Sequence, residues 1–299
     1  MHKIEIPEID YCGEFPSCLE EMTGDQFIFF MDMLLKFESG SIDIDEFKCK
    51  LVMNFLDIRM TGRYYLLKKE KQEDILSKIY LLSGLIDSFF TEEVREEKSV
   101  FVLKMSFIKQ FLPKIAGKYY GPEDGLSNCT FCEYRTAYGY YKAYLNSKQE
   151  DDLNHLIAVL YRPKRKFLCV RRELPGYDGQ LRTLFTAKSN PRFIETRAMQ
   201  IGKLSMAIRY GIFLFFAGCN EYLTSGEITI EENKIDLSLL YKKSSSDSPD
   251  PGIGLVGLLY SIAETHIFGS IDETDNQNIY DIMIRLYQVM KQFEAMKPK

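Results

Sequence analysis

Residues 121–163, GPEDGLSNCTFCEYRTAYGYYKAYLNSKQEDDLNHLIAVLYRP, decide how the chain can fold. Thr130 and Glu133 have the spacing of a capping box, in which a hydroxyl and a carboxylate satisfy free amides of the first helical turn. A second helix is predicted over residues 151–161, after a short polar break, and Pro163 ends it. The first helix carries tyrosines at helical spacing, namely Tyr134, Tyr138, Tyr141 and Tyr144.

Apolar residues recur three and four positions apart in other segments as well, which predicts amphipathic helices. These helices are expected near 23–38, 43–57, 69–89, 191–223 with a break at Gly202, 254–268 and 279–296. Short strands are expected at 3–6, 99–107, 228–230 and 235–237. The sequence therefore predicts a mainly α fold, a multi-helix globular bundle with one or two minor β-hairpin or strand elements.

A charged link at 91–98 predicts the boundary between two parts of the chain. The first part is an N-terminal helical subdomain over 1–98, and the second is a main helical domain over 99–299. The main domain is expected to contain an exposed basic loop at 162–190 and a Ser/Pro loop at 242–251.

The composition of the 299-residue chain limits its function. A net charge of −5 argues against bulk electrostatic attachment to nucleic acid or to an anionic membrane. The longest apolar run, at 208–219, is too short to cross a membrane, and the N-terminus has no apolar core of a signal peptide. Seven scattered cysteines fit reduced thiols, so we expect a protein of the cytoplasm.

Cys129 and Cys132 form the only CxxC in the chain, and three interpretations are open. A redox site would need a preceding strand, which the pattern does not predict. A zinc site would need four ligands, and the pair Cys12 and Cys18 is loosely spaced for it. The third interpretation is two ordinary buried thiols in the first turn of a helix, and we favour it.

The chain offers few candidates for catalysis. His155 and His266 are the credible general bases, and both also suit structural positions on helices. A GxGxxG string at 252–257 follows a Ser/Pro loop and no strand, so it does not predict a dinucleotide site. We therefore expect no enzyme activity, no cofactor and no metal.

The segment 162–172 holds six Lys or Arg residues and no acid. Phe167 lies among them, as a residue that stacks on bases would, so nucleic-acid binding is one alternative. Binding of a partner protein is the other, because Arg is favoured at interfaces. The candidate partner-binding residues are Tyr134, Tyr138, Tyr141, Arg162, Lys164, Arg165, Lys166, Arg171 and Arg172.

Three stretches carry a family resemblance. GPEDGLSN with the aromatic helix after it, EDDLNHLIAVLYRP, and HIFGSIDETDNQNIYDIMIRLYQVMK resemble uncharacterised tail-region proteins of phages and prophages of gut-type bacteria. That family pattern has apolar or glycine residues where this chain has Cys129 and Cys132, which argues further against a metal role.

The resemblance implies a non-enzymatic function in phage tail assembly, as a chaperone or a structural component. The partners it implies are other tail proteins or copies of the same chain, with no membrane. Its location would be the host cytoplasm or the virion. A nucleic-acid-binding accessory protein that uses 162–172 is the alternative.

Overall fold

The computed structural model describes residues 1–6, 11–95, 98–171, 173, 179–225, 227–230, 233–236 and 254–296. The predicted Ser/Pro loop at 242–251, Arg172 and Gly252 lie outside the described residues. The helices are α1 (Gly24–Glu38), α2 (Ile44–Phe55), α3 (Gly62–Tyr65), α4 (Lys69–Ser83), α5 (Phe131–Ser147), α6 (Glu150–Leu160), α7 (Leu168–Arg171), α8 (Pro191–Ile201), α9 (Met206–Ser225), α10 (Leu255–Ala263), α11 (Ile271–Asp275) and α12 (Ile279–Met296).

Four small antiparallel sheets accompany these helices in the described part of the chain. Three are two-stranded hairpins, and the fourth joins three two-residue strands. The strands are β1 (His2–Ile6), β2 (Tyr11–Phe15), β3 (Phe90–Arg95), β4 (Lys98–Leu103), β5 (Lys114–Ile115), β6 (Tyr119–Tyr120), β7 (Arg162–Pro163), β8 (Glu227–Ile230) and β9 (Asn233–Asp236). The predicted fold class, mainly α with minor strands, is confirmed.

Contacts within the chain divide it into two compact units. The first unit comprises Met1–Phe107 and Met206–Gly211, and the second comprises Ile108–Ser205 and Ile212–Lys299. The sequence places a boundary at residue 98, whereas the first unit runs on to Phe107 and includes a short segment from α9. None of the helices in the described ranges is both long and apolar enough to span a membrane.

The first unit has an aromatic core built by α1, α2 and the 3-10 helix Gly84–Phe89. The capping box predicted from Thr23 and Gln26 forms at the start of α1, where each side chain accepts a hydrogen bond from the backbone N–H of the other residue. The core side chains are almost fully buried phenylalanines in edge and stacked contacts, namely Phe15, Phe30, Phe47, Phe55 and Phe89.

The charged link predicted at 91–98 is wrong, because β3 and β4 pair there as an antiparallel hairpin. Its register sets Phe90 opposite Leu103, and the hydroxyl of Thr91 donates to the carbonyl of Val102 at 3.2 Å. Charged residues are compatible with such a hairpin, since an antiparallel pair can expose one face to water.

The second unit is built around α6, which packs against both α5 and α8. Every residue from Leu156 to Leu160 on α6 is buried. Gly121 fits against this core, because a Cβ at that position would lie 2.6 Å from the ring of the buried Tyr161. The two ends of the fold-deciding stretch therefore meet each other.

The C-terminal helices contact the start of α5 through the backbone. The N–H of Phe131 donates to the carbonyl of Gln277 at 2.9 Å, and the N–H of Ile279 donates to the carbonyl of Cys129 at 3.0 Å. Arg135 on α5 also pairs with Asp275 on α11 through two hydrogen bonds, of 2.8 and 3.3 Å. The segment of the CxxC thus holds α11 and α12 in the second unit.

Candidate functional site

A buried ion cluster lies at the start of α5. Glu133 is 2% exposed and pairs with two arginines that are each 1% exposed, Arg162 and Arg182. Arg162 donates from Nη2 to Oε1 of Glu133, and Arg182 donates from Nη2 to Oε2 at 3.1 Å. One carboxylate therefore neutralises only one of two buried guanidinium groups.

Arg182 also uses both of its terminal nitrogens, Nη1 and Nη2, to tie the backbone together, whereas its Nε has no acceptor among the described residues. Its Nη1 donates to the carbonyl of Leu160 at 2.8 Å, and its Nη2 lies 3.0 Å from both oxygens of Asn128. The backbone next to Arg182 is also bonded, since the N–H of Thr183 donates to the carbonyl of Pro163. Arg182 thus joins the end of α6 to the turn before α5.

Arg162 is held less completely. Within the described part of the chain, its Nε and Nη1 atoms have no hydrogen-bond acceptor. Burial lowers the pKa of Arg162, Glu133 partly offsets this effect, and the nearby charge of Arg182 lowers the pKa further. An arginine stays protonated in proteins, so Arg162 is a buried cation with two unused donors.

Arg162 lines two cavities of the second unit. The smaller, of about 180 Å³, also contains Glu133, Arg165, Gln180 and Arg182. The larger, of about 530 Å³, is here called the Arg162 cavity. Besides Arg162, its lining includes Leu184, Phe185, Phe193, Ile194, Thr196 and Arg197.

The two thiols of the CxxC are buried and protonated. Burial raises the pKa of both Cys129 and Cys132 to about 12, and Asp275 raises that of Cys132 further. Such thiols are poor nucleophiles, because the thiolate is the reactive form. In the described ranges, no three His, Cys, Asp or Glu side chains come together as a metal site.

The tyrosine stripe of α5 packs against α9. Tyr134 is 1% exposed, and its hydroxyl donates to Asn220 at 2.7 Å. Tyr138 and Tyr141 are half-buried, and Tyr141 stacks on Phe213 with ring centres 5.3 Å apart. The stripe is therefore largely an internal contact, and Tyr134 lies within the core.

The basic segment 162–172 is divided between the interior and the surface. Arg162 is buried, and Arg165 is half-buried with its Nε on the carbonyl of Arg182 at 2.8 Å. Three other cations and one aromatic ring are exposed, namely Lys164, Lys166, Arg171 and Phe167. The expectation that 162–190 forms one exposed loop is wrong for Arg162 and Arg182, since burial with Glu133 removes both from the surface.

His155 lies between two helices. Its Nδ1 contacts the carbonyl of Asp151 at 2.7 Å, and its Nε2 contacts Glu195 on α8 at 2.5 Å. Burial lowers its pKa, but these two partners outweigh that effect and raise it overall. The ring also stacks on Tyr140, so its contacts link α6 with α5 and α8.

The first unit exposes large apolar side chains on α3, α4 and their junction. Gln72 holds this junction by donating to the carbonyls of Tyr64 and Leu67, at 3.1 and 3.0 Å. Of the residues of α4, only Ile79 and Ser83 are buried. The exposed set, called the α3–α4 surface, is Tyr65 (69%), Leu66 (87%), Leu76 (50%), Tyr80 (55%) and Leu81 (77%).

The spacing of Thr130 and Glu133 predicts a capping box with two hydrogen bonds, and one of the two forms. The hydroxyl of Thr130 accepts from the N–H of Glu133, while the carboxylate turns to Arg162 and Arg182. The sequence does indicate that Glu133 is buried, because Glu133 shares a helix face with Tyr134 and Ala137. An acid on an apolar face predicts a buried cation as partner.

Comparison with known proteins supplies no relative. No protein family model, no curated protein and no solved structure matches the chain.

Proposed function

We propose that the chain is a non-enzymatic interaction protein of phage tail assembly, and that it binds a tail protein through the α3–α4 surface. The observation that carries the proposal is the exposure of five large apolar side chains on consecutive elements. Exposed large apolar side chains favour an interface, because association removes their surface from water. The resemblance to phage tail-region proteins supplies the biological setting, in the host cytoplasm.

Charge around the α3–α4 surface favours one kind of partner. Residues 59–83, which include the whole α3–α4 surface, contain six Lys or Arg residues and three acids, within a chain of net charge −5. Complementary charges steer partners together and fix their register. The partner we propose is an amphipathic helix of a tail protein, with an apolar face flanked by Asp and Glu.

A non-catalytic role is also supported by the state of the candidate catalytic groups. The thiols of Cys129 and Cys132 are buried, and their pKa is raised to about 12. His155 is engaged by Asp151 and Glu195.

The proposal is tested by capture from phage-producing cells with the unchanged chain and with the double variant Leu66→Glu/Leu81→Glu. We expect the unchanged chain to retain a tail protein, identified by mass spectrometry, that contains an acid-flanked amphipathic helix. Two buried charges at the interface should abolish that retention. The control is Met199→Glu, an apolar position on α8 that is 65% exposed, and it should retain the partner.

Three outcomes would contradict this function. One is a strictly monomeric chain that retains no tail protein from the producing lysate. Another is equal retention by the double variant. The third is a concentration-dependent dimer that Leu66→Glu/Leu81→Glu dissociates, which would assign the α3–α4 surface to a second copy of this chain.

Nucleic-acid binding by the basic segment is a second proposal, favoured by the exposure of Phe167 (77%) next to exposed cations. Stacking on an aromatic ring combined with phosphate contacts is the usual mode for single strands. Binding of a fluorescent single-stranded oligonucleotide should weaken as salt rises and vanish in Lys164→Gln/Lys166→Gln/Arg171→Gln. Binding that does not depend on salt, or that survives in this variant, would exclude it.

A further inference from the structure

We infer that the Arg162 cavity binds a small organic anion, with a carboxylate or phosphate group between Arg162 and Arg197 and an apolar body against Phe185 and Phe193. The inference concerns the second unit alone, and it does not depend on the α3–α4 surface.

The interior around Arg162 holds more positive than negative charge. Arg162 and Arg182 are each 1% exposed and share one carboxylate, that of Glu133. The thiol of Cys129 and the phenol of Tyr161, which lie beside them, stay protonated because burial raises the pKa of both groups. The cluster thus carries one uncompensated positive charge, and a buried charge is costly unless it is paired.

Arg162 also has unused hydrogen-bonding capacity. Its Nη2 is engaged by Glu133, whereas Nε and Nη1 have no acceptor among the described residues. Buried polar atoms in native proteins nearly always have a partner, either protein or a bound group. Arg162 also lines the cavity, so an anion bound there would lie beside this guanidinium group.

A second cation, Arg197, belongs to the same cavity. It lies on α8, and its Nε donates to the carbonyl of Ala158 at 3.0 Å. Burial and the charge of Arg162 lower the pKa of Arg197 to about 10. An anion between the two guanidinium groups would turn this repulsion into two attractive contacts.

The walls of the cavity define the rest of the ligand. Phe185 is buried, and the guanidinium carbon of Arg162 lies 5.7 Å from the centre of its ring. Leu184 and Phe193 are 57% and 66% exposed and also line the cavity, as does Ile194. The volume of about 530 Å³ falls in the range typical of sites for small molecules. The cavity has cations in one part and apolar walls elsewhere, so its ligand should have an anionic group on an apolar or aromatic body.

The test is calorimetric titration of the full chain at low salt with four probes: phenyl phosphate, benzoate, inorganic phosphate and benzyl alcohol. We expect phenyl phosphate or benzoate to bind at least about tenfold more tightly than benzyl alcohol and inorganic phosphate. The better of the two decides whether the site takes a phosphate or a carboxylate.

Variants of Arg197 and Arg162 connect that binding to the cavity. Arg197→Gln should weaken the better anion by roughly tenfold or more, as expected for loss of a charge-assisted hydrogen bond. The matched control Arg192→Gln removes an exposed cation of the same helix and should leave the affinity unchanged. Arg162→Lys keeps the buried charge that pairs with Glu133 and removes the two unused donors, so it should also weaken the anion.

Four results would overturn the inference. They are absence of binding by both organic anions at millimolar concentration, equal binding of benzyl alcohol, unchanged affinity in Arg197→Gln, and an equal loss of affinity in Arg192→Gln.

Discussion

Glu133 controls the charge of the interior of the second unit, since its two oxygens contact two different arginines. All three side chains are at most 2% exposed. A sequence pattern can place an acid on the apolar face of α5. It cannot show that Arg182, far along the chain, turns inward, because that depends on the backbone pairing of Thr183 with Pro163.

Removing the charge of Glu133 tests this cluster. Glu133→Gln leaves two buried guanidinium groups without a counter-charge, so we expect a loss of about 3–5 kcal/mol in the free energy of unfolding. Urea denaturation measures it. Glu123→Gln, at an exposed position just before α5, is the control and should change stability by less than about 0.5 kcal/mol. A loss no larger than that of the control would show that the cluster does not stabilise the fold.

The buried thiols give a pH dependence of known sign. Burial raises the folded-state pKa of Cys129 and Cys132 to about 12, whereas an unfolded thiol titrates near its ordinary value. Above that ordinary pKa the unfolded chain releases protons that the folded chain keeps, so stability should fall as the pH rises from about 9 towards about 12. The limiting slope is about 1.4 kcal/mol per pH unit for each thiol.

Urea midpoints between pH 9 and pH 11 measure this slope. Cys129→Ala should make it shallower, and Cys169→Ala, which removes an exposed thiol, should leave it unchanged. A slope that is the same in all three chains would contradict the burial of Cys129.

At the scale of elements, the helices were predictable where caps and periodicity agree. Thr23, Asp43, Thr130 and Asn190 all accept the N-cap hydrogen bond expected from their residue type. The sheet of β5, β6 and β7 was not predictable, because two-residue strands have no periodicity to read. Helix α4 was predicted from its apolar spacing, yet Leu76 in that pattern is half exposed. Apolar spacing predicts that a helix has an apolar face, but it does not predict whether another element buries that face.

Two glycines test how tightly the elements of the second unit pack. Gly121→Ala would place a Cβ 2.6 Å from the ring of Tyr161, so we expect a destabilisation of about 1–3 kcal/mol. Gly139→Ala, inside α5 with open space around it, should stabilise by about 0.5–1 kcal/mol through helix propensity. Thermal denaturation measures the change in stability of both variants. An unchanged stability in Gly121→Ala would contradict the close packing of Gly121 against Tyr161.

At the scale of the whole molecule, the sequence predicted a two-part chain but placed the division by a charged link. That link is a hairpin of the first unit, and the unit also takes in Met206–Gly211. Within this unit Gly211 is packed closely, since a Cβ there would lie 2.8 Å from the ring of Phe27. A contact between residues so distant in sequence leaves no local sequence pattern. A boundary predicted from composition therefore cannot assign Met206–Gly211 to the first unit.

Hydrogen exchange tests whether the α3–α4 surface binds a partner helix. Amide exchange of the full chain is followed by mass spectrometry, alone and with the captured tail protein. We predict that added protection falls in the peptides over 62–83, which contain α3 and α4. Unchanged exchange in these peptides, or protection confined to the second unit, would contradict the claim.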